Sequence, residues 1–190
     1  MKLNVGSSDT GGRYRSPEWI NIDIVKFGTT NFEIGDPVKG LKYESDFFEE
    51  VHCIHVLEHI DRNDHNKFLK ELHRVTKPDG VIYVEVPDFI RICSNIIELN
   101  KRIAENWEGI NAEVEERLRC ETLSIYGKGR WEGDTHRWGF TAYSLWKTIE
   151  DSWFEPKEMI PAGPRNYYHK DKMVSSHYKQ EPVILIKAIK

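Results

Sequence analysis

VHCIHVLEHIDRNDHNKFLKELHRVTKPDGVIYVEV, residues 51–86, sets the architecture of the chain. Val51–Val56 is rich in β-branched residues, as a strand is, and Val81–Val86 is nearly all apolar, as a strand buried on both faces must be. Between them Phe68, Leu69, Leu72 and Val75 fall at i, i+1, i+4 and i+7, the stripe of a helix with one apolar face. Asn63 or Asp64 can cap that helix, and Lys77-Pro78-Asp79-Gly80 ends it in a turn. Strand, helix and strand make a parallel crossover unit, right-handed by the usual chirality.

The same stretch contains His55-x-x-Glu58-His59, a spacing used by zinc peptidases. In those enzymes both histidines share one helical face, one turn apart. Here His55 belongs to a β-branched strand and His59 to the loop after it, so the spacing weighs against a hydrolase, a rival reading that would require metal-dependent peptidase activity.

Outward from this unit, Lys2–Val5 predicts a first strand, Trp19–Ile24 a second carrying Asp23 near its end, and Phe32–Gly35 a weak third before Asp36-Pro37. Glu155–Ile160 and Val183–Ile189 predict two last strands, joined by the long polar connection 161–182. Phe89–Ser124 is helical, with Ile96, Ile103, Trp107, Ile110, Val114 and Leu118 at spacings of three, four or seven and a break near Gly109 and Asn111. It reads as an amphipathic pair over the core or, more sharply, as a lid over a substrate pocket. Residues 125–140 have loop chemistry, and Thr141 can cap a short helix whose Ala142, Leu145, Trp146 and Ile149 face inward. The whole, 1–190, reads as one domain in which 88–140 form a helical lid and substrate-side loop.

Composition narrows the function. A chain of 190 residues suits one compact domain. A formal charge of −4 argues against gripping a long nucleic-acid backbone, which needs a dominant basic face. Cys53, Cys93 and Cys120 are odd in number and far apart, so they make neither a disulfide framework nor a zinc pair, and a reduced, cytoplasmic setting fits them. No run of about 18 apolar residues is present and MKLNVGSSD has no signal-peptide core, so no membrane partner is expected.

Open parallel sheets bind ligands at the carboxyl ends of their strands. After strand one, GSSDTGG lets backbone N–H groups approach an anionic group closely. Asp23 follows Gly6 by 17 residues, near where an acid accepts hydrogen bonds from ribose hydroxyls. Asp36 ends strand three, where a carboxylate can accept from an adenine amino group, and His55 ends strand four. His52, His65, His73, His169 and His177 read as surface residues.

With those residues placed, the chain resembles class I S-adenosylmethionine-dependent methyltransferases, in particular the small type marked by a strand-end "hVLEHI" and a later "L.E..RVLKPGG...I.VPD". The matching text here is HVLEHI at 55–60 and FLKELHRVTKPDGVIYVEVPDF at 68–89. The resemblance implies an α/β, Rossmann-like, doubly wound sheet of seven strands in the order 3-2-1-4-5-7-6, the last strand antiparallel, with a helical insertion after strand five. It implies methyl transfer from S-adenosylmethionine to an oxygen or nitrogen of a small-molecule, sugar or glycan acceptor. It implies a cofactor held by Asn4, Gly6, Ser7, Asp23, Ile24, Asp36, Pro37 and the backbone around His55. Within this resemblance, ubiquinone-biosynthesis O-methyltransferases and small-RNA 3′-end methyltransferases bind a divalent ion through E-x-x-E-H after strand four, aided in the RNA enzymes by a later histidine.

His55, Glu58, His59 and, from GDTHRWGFT, His136 stand at those places, and histidine for the first glutamate favours zinc, iron or manganese over magnesium. Without a metal, His59 or His136 serves as base, with Glu58 beside it. Trp131, Trp138, Phe140 and Tyr126 offer a wall for a flat or sugar-like acceptor, and Lys128, Arg130, Arg137 and Arg165 a phosphate site, although core packing and solvated charge explain them too. Ser8 replaces the second glycine of the family's loop, and the family's helix before strand one has no counterpart. A partner subunit in a homodimer is one way to supply the missing pocket wall. The rival readings are a nucleic-acid-end methyltransferase and a non-catalytic scaffold that keeps the fold.

Overall fold

The computed structural model describes residues 1–6, 12–25, 31–107, 111–129, 132–160 and 182–190. Seven strands form one sheet: β1 (Lys2–Val5), β2 (Trp19–Asp23), β3 (Phe32–Ile34), β4 (Phe48–Ile54), β5 (Thr76–Pro87), β6 (Glu155–Ile160) and β7 (Val183–Ile189). Their spatial order is β3-β2-β1-β4-β5-β7-β6. β1 to β5 pair in parallel, and β7 runs antiparallel to both β5 and β6. The expected Rossmann-like order is therefore present.

The two faces of this sheet differ. Register places Leu3, Val51, Ile82 and Ala188 side by side, and Val5, Ile22, Cys53, Val84 and Ile186 beside one another two residues on. All are buried in one apolar cluster with Phe68, Leu69, Leu72 and Val75 of α1 (His65–Val75) and Leu145 and Ile149 of α4 (Ala142–Glu150). Successive strand residues point to opposite faces, so the other face carries Asn4, Asn21, His52 and Tyr83 in register. There, the connection from β1 to β2 holds, among the described residues, only a 3-10 turn at Gly12–Arg15.

Local expectations met tertiary structure with three differences. Lys77–Gly80 is not a plain turn before β5: Thr76 pairs with Phe48 and Val81 with Glu50, so the four residues loop out of an otherwise extended run, with Asp79 at φ +62°. The helical segment is a hairpin of α2 (Phe89–Glu105) and α3 (Ala112–Tyr126), capped by Asp88 and Asn111. Its buried residues are Ile92 and Leu99 in α2 and Glu121 in α3, whereas Ile96, Ile103, Val114 and Leu118 are half-buried and Trp107 is 75% exposed. The two helices pack on each other, so an apolar residue can be spent on the hairpin seam rather than the core. Ile110 and Gly109 lie outside the described residues. Finally, His52 and His65 are buried, at 0% and 4% exposure, and not on the surface; His73 is half-buried, and His169 and His177 lie outside the described residues.

Thr141 caps α4 with a reciprocal Thr141–Ser144 box. No helix among the described residues is long and apolar enough to cross a membrane.

Candidate active site at the carboxyl ends of the strands

The crevice begins where β1 ends. Val5 pairs with Ile22, and the Gly6 N–H donates to the Ile22 carbonyl at 2.9 Å, so Gly6 and Asp23 are neighbours across adjacent strand ends. Gly6 has φ +75°, and a Cβ there would meet Val56 Cγ2 at 2.1 Å, so only glycine fits. Asp23 is 9% exposed. Burial pushes its carboxyl up from the ordinary value, against the pull of the Val25 and Ile24 N–H groups and of nearby His59. An acid in this state gains from hydrogen-bond donors brought by a ligand.

The other expected cofactor residues are placed less uniformly. Asp36 is engaged in its own turn: Oδ1 accepts from the Val38 N–H at 3.0 Å and Oδ2 lies 3.1 Å from Lys39 Nζ. Pro37 is buried, and Ile24 is exposed beside Asp23. Asn4 lies within β1 and donates through Nδ2 to Asn21 Oδ1 at 3.0 Å, on the polar sheet face rather than at the strand end. Ser7 falls outside the described residues.

Beyond β4 the chain turns sharply. His55 takes φ +54°, a conformation that a non-glycine residue adopts only under constraint, and its N–H donates to the Glu85 carbonyl at 2.9 Å. A single 3-10 turn, Leu57–His59, then buries Glu58 at 2% exposure. His55 and His59 are thus not on one α-helical face. His55 Nδ1 lies 3.3 Å from Glu58 Oε1 and its Nε2 3.1 Å from Glu85 Oε1, so both ring nitrogens face carboxylates. Glu85 was not singled out in sequence; its one signal is a charge inside the apolar run VIYVEV.

Glu58, His59 and His136 come together, with one ligand atom of each within 4.8 Å of the others. The segment carrying His136 is tied down because the N–H groups of Arg137 and Trp138 both donate to the Glu58 carbonyl, at 2.7 and 3.2 Å. His59 Nδ1 donates to the Thr135 carbonyl at 3.2 Å, and His136 Nδ1 to the Ser124 carbonyl at 2.9 Å. Carbonyls only accept, so each ring is held with Nδ1 protonated. His59 Nε2 then faces Glu58 Oε1 at 4.0 Å. Burial alone would push the Glu58 carboxyl up, but contact with His55 and the fields of His55, His59 and His136 outweigh it and hold the group below the usual carboxylate range. Among the described residues neither of its oxygens receives a well-aligned hydrogen bond, and imidazoles are the groups that answer this buried negative charge.

A narrow cleft opens beside this group, lined by Glu58 and His136 together with Phe89, Ile92, Ile125 and Trp138. Of the expected aromatic wall, Trp138 lines it, Phe140 is buried in the core, Tyr126 is 66% exposed, and Trp131 lies outside the described residues. Arg130 and Arg165 are outside them as well. Arg62 sits over the Trp138 ring, 4.6 Å from its centre.

Residues 16–84 match the family model of a methyltransferase domain. Solved structures share the fold. The chain aligns over its whole length with 91% of an S-adenosylmethionine-dependent methyltransferase from Methanosarcina mazei, with a TM-score of 0.60 and 15% identity. It aligns over its whole length with 70% of the 1,6-didemethyltoxoflavin-N1-methyltransferase of Burkholderia thailandensis, solved with S-adenosylhomocysteine, at a TM-score of 0.55 and 12% identity. It aligns equally fully with 74% of the [4+2]-cyclase SpnF, at 0.58 and 13%. No curated protein matches the chain in sequence.

Proposed function

We propose that this chain is a class I S-adenosylmethionine-dependent methyltransferase that moves the cofactor's methyl group to a hydroxyl or amine of a small-molecule, sugar or glycan acceptor, with His59 as base. One observation carries this reading: His59 lies close enough to Asp23 to act on its charge and also faces Glu58, which lines the cleft. The acid assigned to the ribose and the group assigned to the acceptor therefore share one crevice.

The chemistry asks for alignment more than activation. The acceptor's lone pair attacks the methyl carbon in line with the carbon–sulfur bond, whose electrons return to sulfur, giving S-adenosylhomocysteine. Positioning of this kind is worth roughly 7–11 kcal/mol. The acceptor proton passes to His59 Nε2, the nitrogen left to accept once Nδ1 is committed to Thr135. Glu58, kept ionised, stabilises the imidazolium that results. Trp138 and Phe89 supply the flat walls, and the α2–α3 hairpin serves as the lid.

Titration calorimetry with S-adenosylhomocysteine tests the cofactor half. Asp23→Ala should weaken binding by about 1–3 kcal/mol, the cost of leaving ribose hydroxyls unpaired. An unchanged dissociation constant removes Asp23 from the site, and no binding by the wild type at millimolar ligand favours the scaffold reading.

A second reading is favoured by the convergence of Glu58, His59 and His136. One carboxylate and two histidines, each histidine oriented through Nδ1 by a main-chain carbonyl, is a donor set suited to zinc, iron or manganese. The residues fit such an ion, since a buried carboxylate lacking an aligned donor is what a cation would satisfy. When bound, it would lower the pKa of an acceptor hydroxyl. His55 stands apart from the set, with its nitrogens turned to Glu58 and Glu85.

A further inference from the structure

On the polar face of the sheet, His52 is fully buried and answered within the fold. Its Nε2 lies 2.7 Å from Glu50 Oε1 and its Nδ1 2.8 Å from the Tyr14 hydroxyl. An ionised carboxylate only accepts, so Nε2 carries the proton and Nδ1 accepts from the Tyr14 O–H. The guanidinium of Arg62 is placed differently. It lies over the Trp138 ring, and among the described residues no carboxylate pairs with it and no acceptor takes its N–H groups. Asp61, its neighbour in the chain, accepts from the Asn63 N–H instead.

Arg62 reaches Trp138 because two segments run side by side. His59 Nδ1 donates to the Thr135 carbonyl, the Glu58 carbonyl accepts from the Arg137 and Trp138 N–H groups, and the His65 ring packs on Phe140 with centroids 5.1 Å apart. These contacts hold Trp138 against the 3-10 turn Arg62–Asp64. The indole therefore has two neighbours: it lines the cleft with Glu58, Phe89 and His136, and it carries the guanidinium. Next to it, a Cβ on Gly139 would meet Phe89 Cδ2 at 2.6 Å, so the Phe89 ring lies directly on the main chain and the two aromatic walls are fixed by one short segment.

An aromatic face attracts a guanidinium through its charge and takes none of its N–H donors. The ring thus locates the fork while leaving it open to a ligand. A planar carboxylate meets such a fork with two parallel hydrogen bonds. One guanidinium balances one negative charge, which a carboxylate carries and a phosphate monoester exceeds. Deeper in the cleft stands Glu58, buried and kept ionised, which repels a second anion, and Pro87, Phe89 and Ile92 are apolar. A negative group on the acceptor is therefore favoured at the Arg62 end.

We propose that Arg62 selects the acceptor: it binds a carboxylate on the molecule whose flat body lies against Trp138. This rests on the methyl-transfer reading of the cleft and narrows its acceptors to carboxylic acids.

Calorimetry on the full chain loaded with S-adenosylhomocysteine tests it with phenylacetate and phenylacetamide, two probes of nearly one shape that differ in charge. Phenylacetate should bind about 10-fold more tightly, the size of one charge-assisted contact. Arg62→Gln should erase that preference with the melting temperature nearly unchanged, since the side chain is exposed. Arg62→Lys, which keeps the charge and loses the fork, should restore part of it. The proposal is overturned if the two probes bind the wild type equally or not at all, if the preference survives Arg62→Gln, or if phenyl phosphate binds more tightly than phenylacetate. In each case the methyltransferase reading stands, because the cofactor product has bound. A wild type that does not bind S-adenosylhomocysteine at millimolar ligand removes both.

Discussion

Strand β4 carries one histidine group within it and leads into another just beyond its end, and the two are satisfied differently. His52 is wholly buried, with side chains on both ring nitrogens. His59 is 21% exposed, with one nitrogen on a main-chain carbonyl and the other 4.0 Å from a buried carboxylate. A ring bonded at both nitrogens has neither a proton to give nor a lone pair to lend without breaking a bond; it can only hold something still. A ring bonded at one nitrogen keeps its tautomer and its orientation while the other nitrogen remains available for chemistry. The contrast suits the first group to holding structure in place and the second to the proposed reaction.

The largest expected effect tests the reacting group. His59→Ala should cut methyl transfer about 10²–10⁴-fold, the usual worth of a positioned base. Cofactor turnover to S-adenosylhomocysteine across a panel of hydroxyl and amine acceptors measures this, with cofactor affinity as the control. If turnover persists at the wild-type rate, the contrast between the groups breaks at its more important end. A smaller effect sharpens the same end. Manganese or zinc at about 100 times its dissociation constant should add about 2.7 kcal/mol to stability, roughly 5–10 °C in melting temperature for a chain of this size. His136→Ala should abolish that shift and His55→Gln should leave it. A shift that survives His136→Ala would place the ion elsewhere.

The contrast also explains what the sequence could disclose. The β4–α1–β5 unit was legible because its signals are local: a β-branched run, a stripe at helical spacing and an apolar run lie within 36 residues. Glu58, His59 and His136 were legible as types in a pattern, although only the folded chain joins His136 to the other two. His52 was misread because VHCIHV looks like a strand with polar residues facing water. What buries it comes from afar: Tyr14, Trp19 and Tyr83 are 38, 33 and 31 positions away. Asn4 fared similarly, since its bond to Asn21 depends on the pairing of β1 with β2. In the α2–α3 hairpin the periodicity was real, but periodicity does not say whether a stripe meets the core or a second helix.

The smallest effect probes the positioning group through its carboxylate. Glu50 is held down at about pH 2, first by the bond to His52 and then, against burial, by the electrostatic pull of the His52 ring and of Lys2. Its ordinary value is 4.5. A group whose folded pKa is depressed contributes stability above its unfolded value and loses it as pH falls toward the folded one. Ionised Glu50 therefore supports the fold fully above about pH 4.5, and the support drains away between about pH 4.5 and 2. A quarter of the side chain is exposed, so solvent screens the pair, and the expected contribution is about 1–2 kcal/mol rather than the full shift. Glu50→Gln should lower neutral-pH stability by that amount in urea titration and flatten the decline between pH 4.5 and 2. Some decline must remain, because the Glu58 carboxyl is also held below its ordinary range. If Glu50→Gln declines as steeply as the wild type, the carboxylate is not bonded to His52 as described. The imidazole would then lose its reason to present Nδ1 to Tyr14, and the two histidine groups would no longer differ in kind.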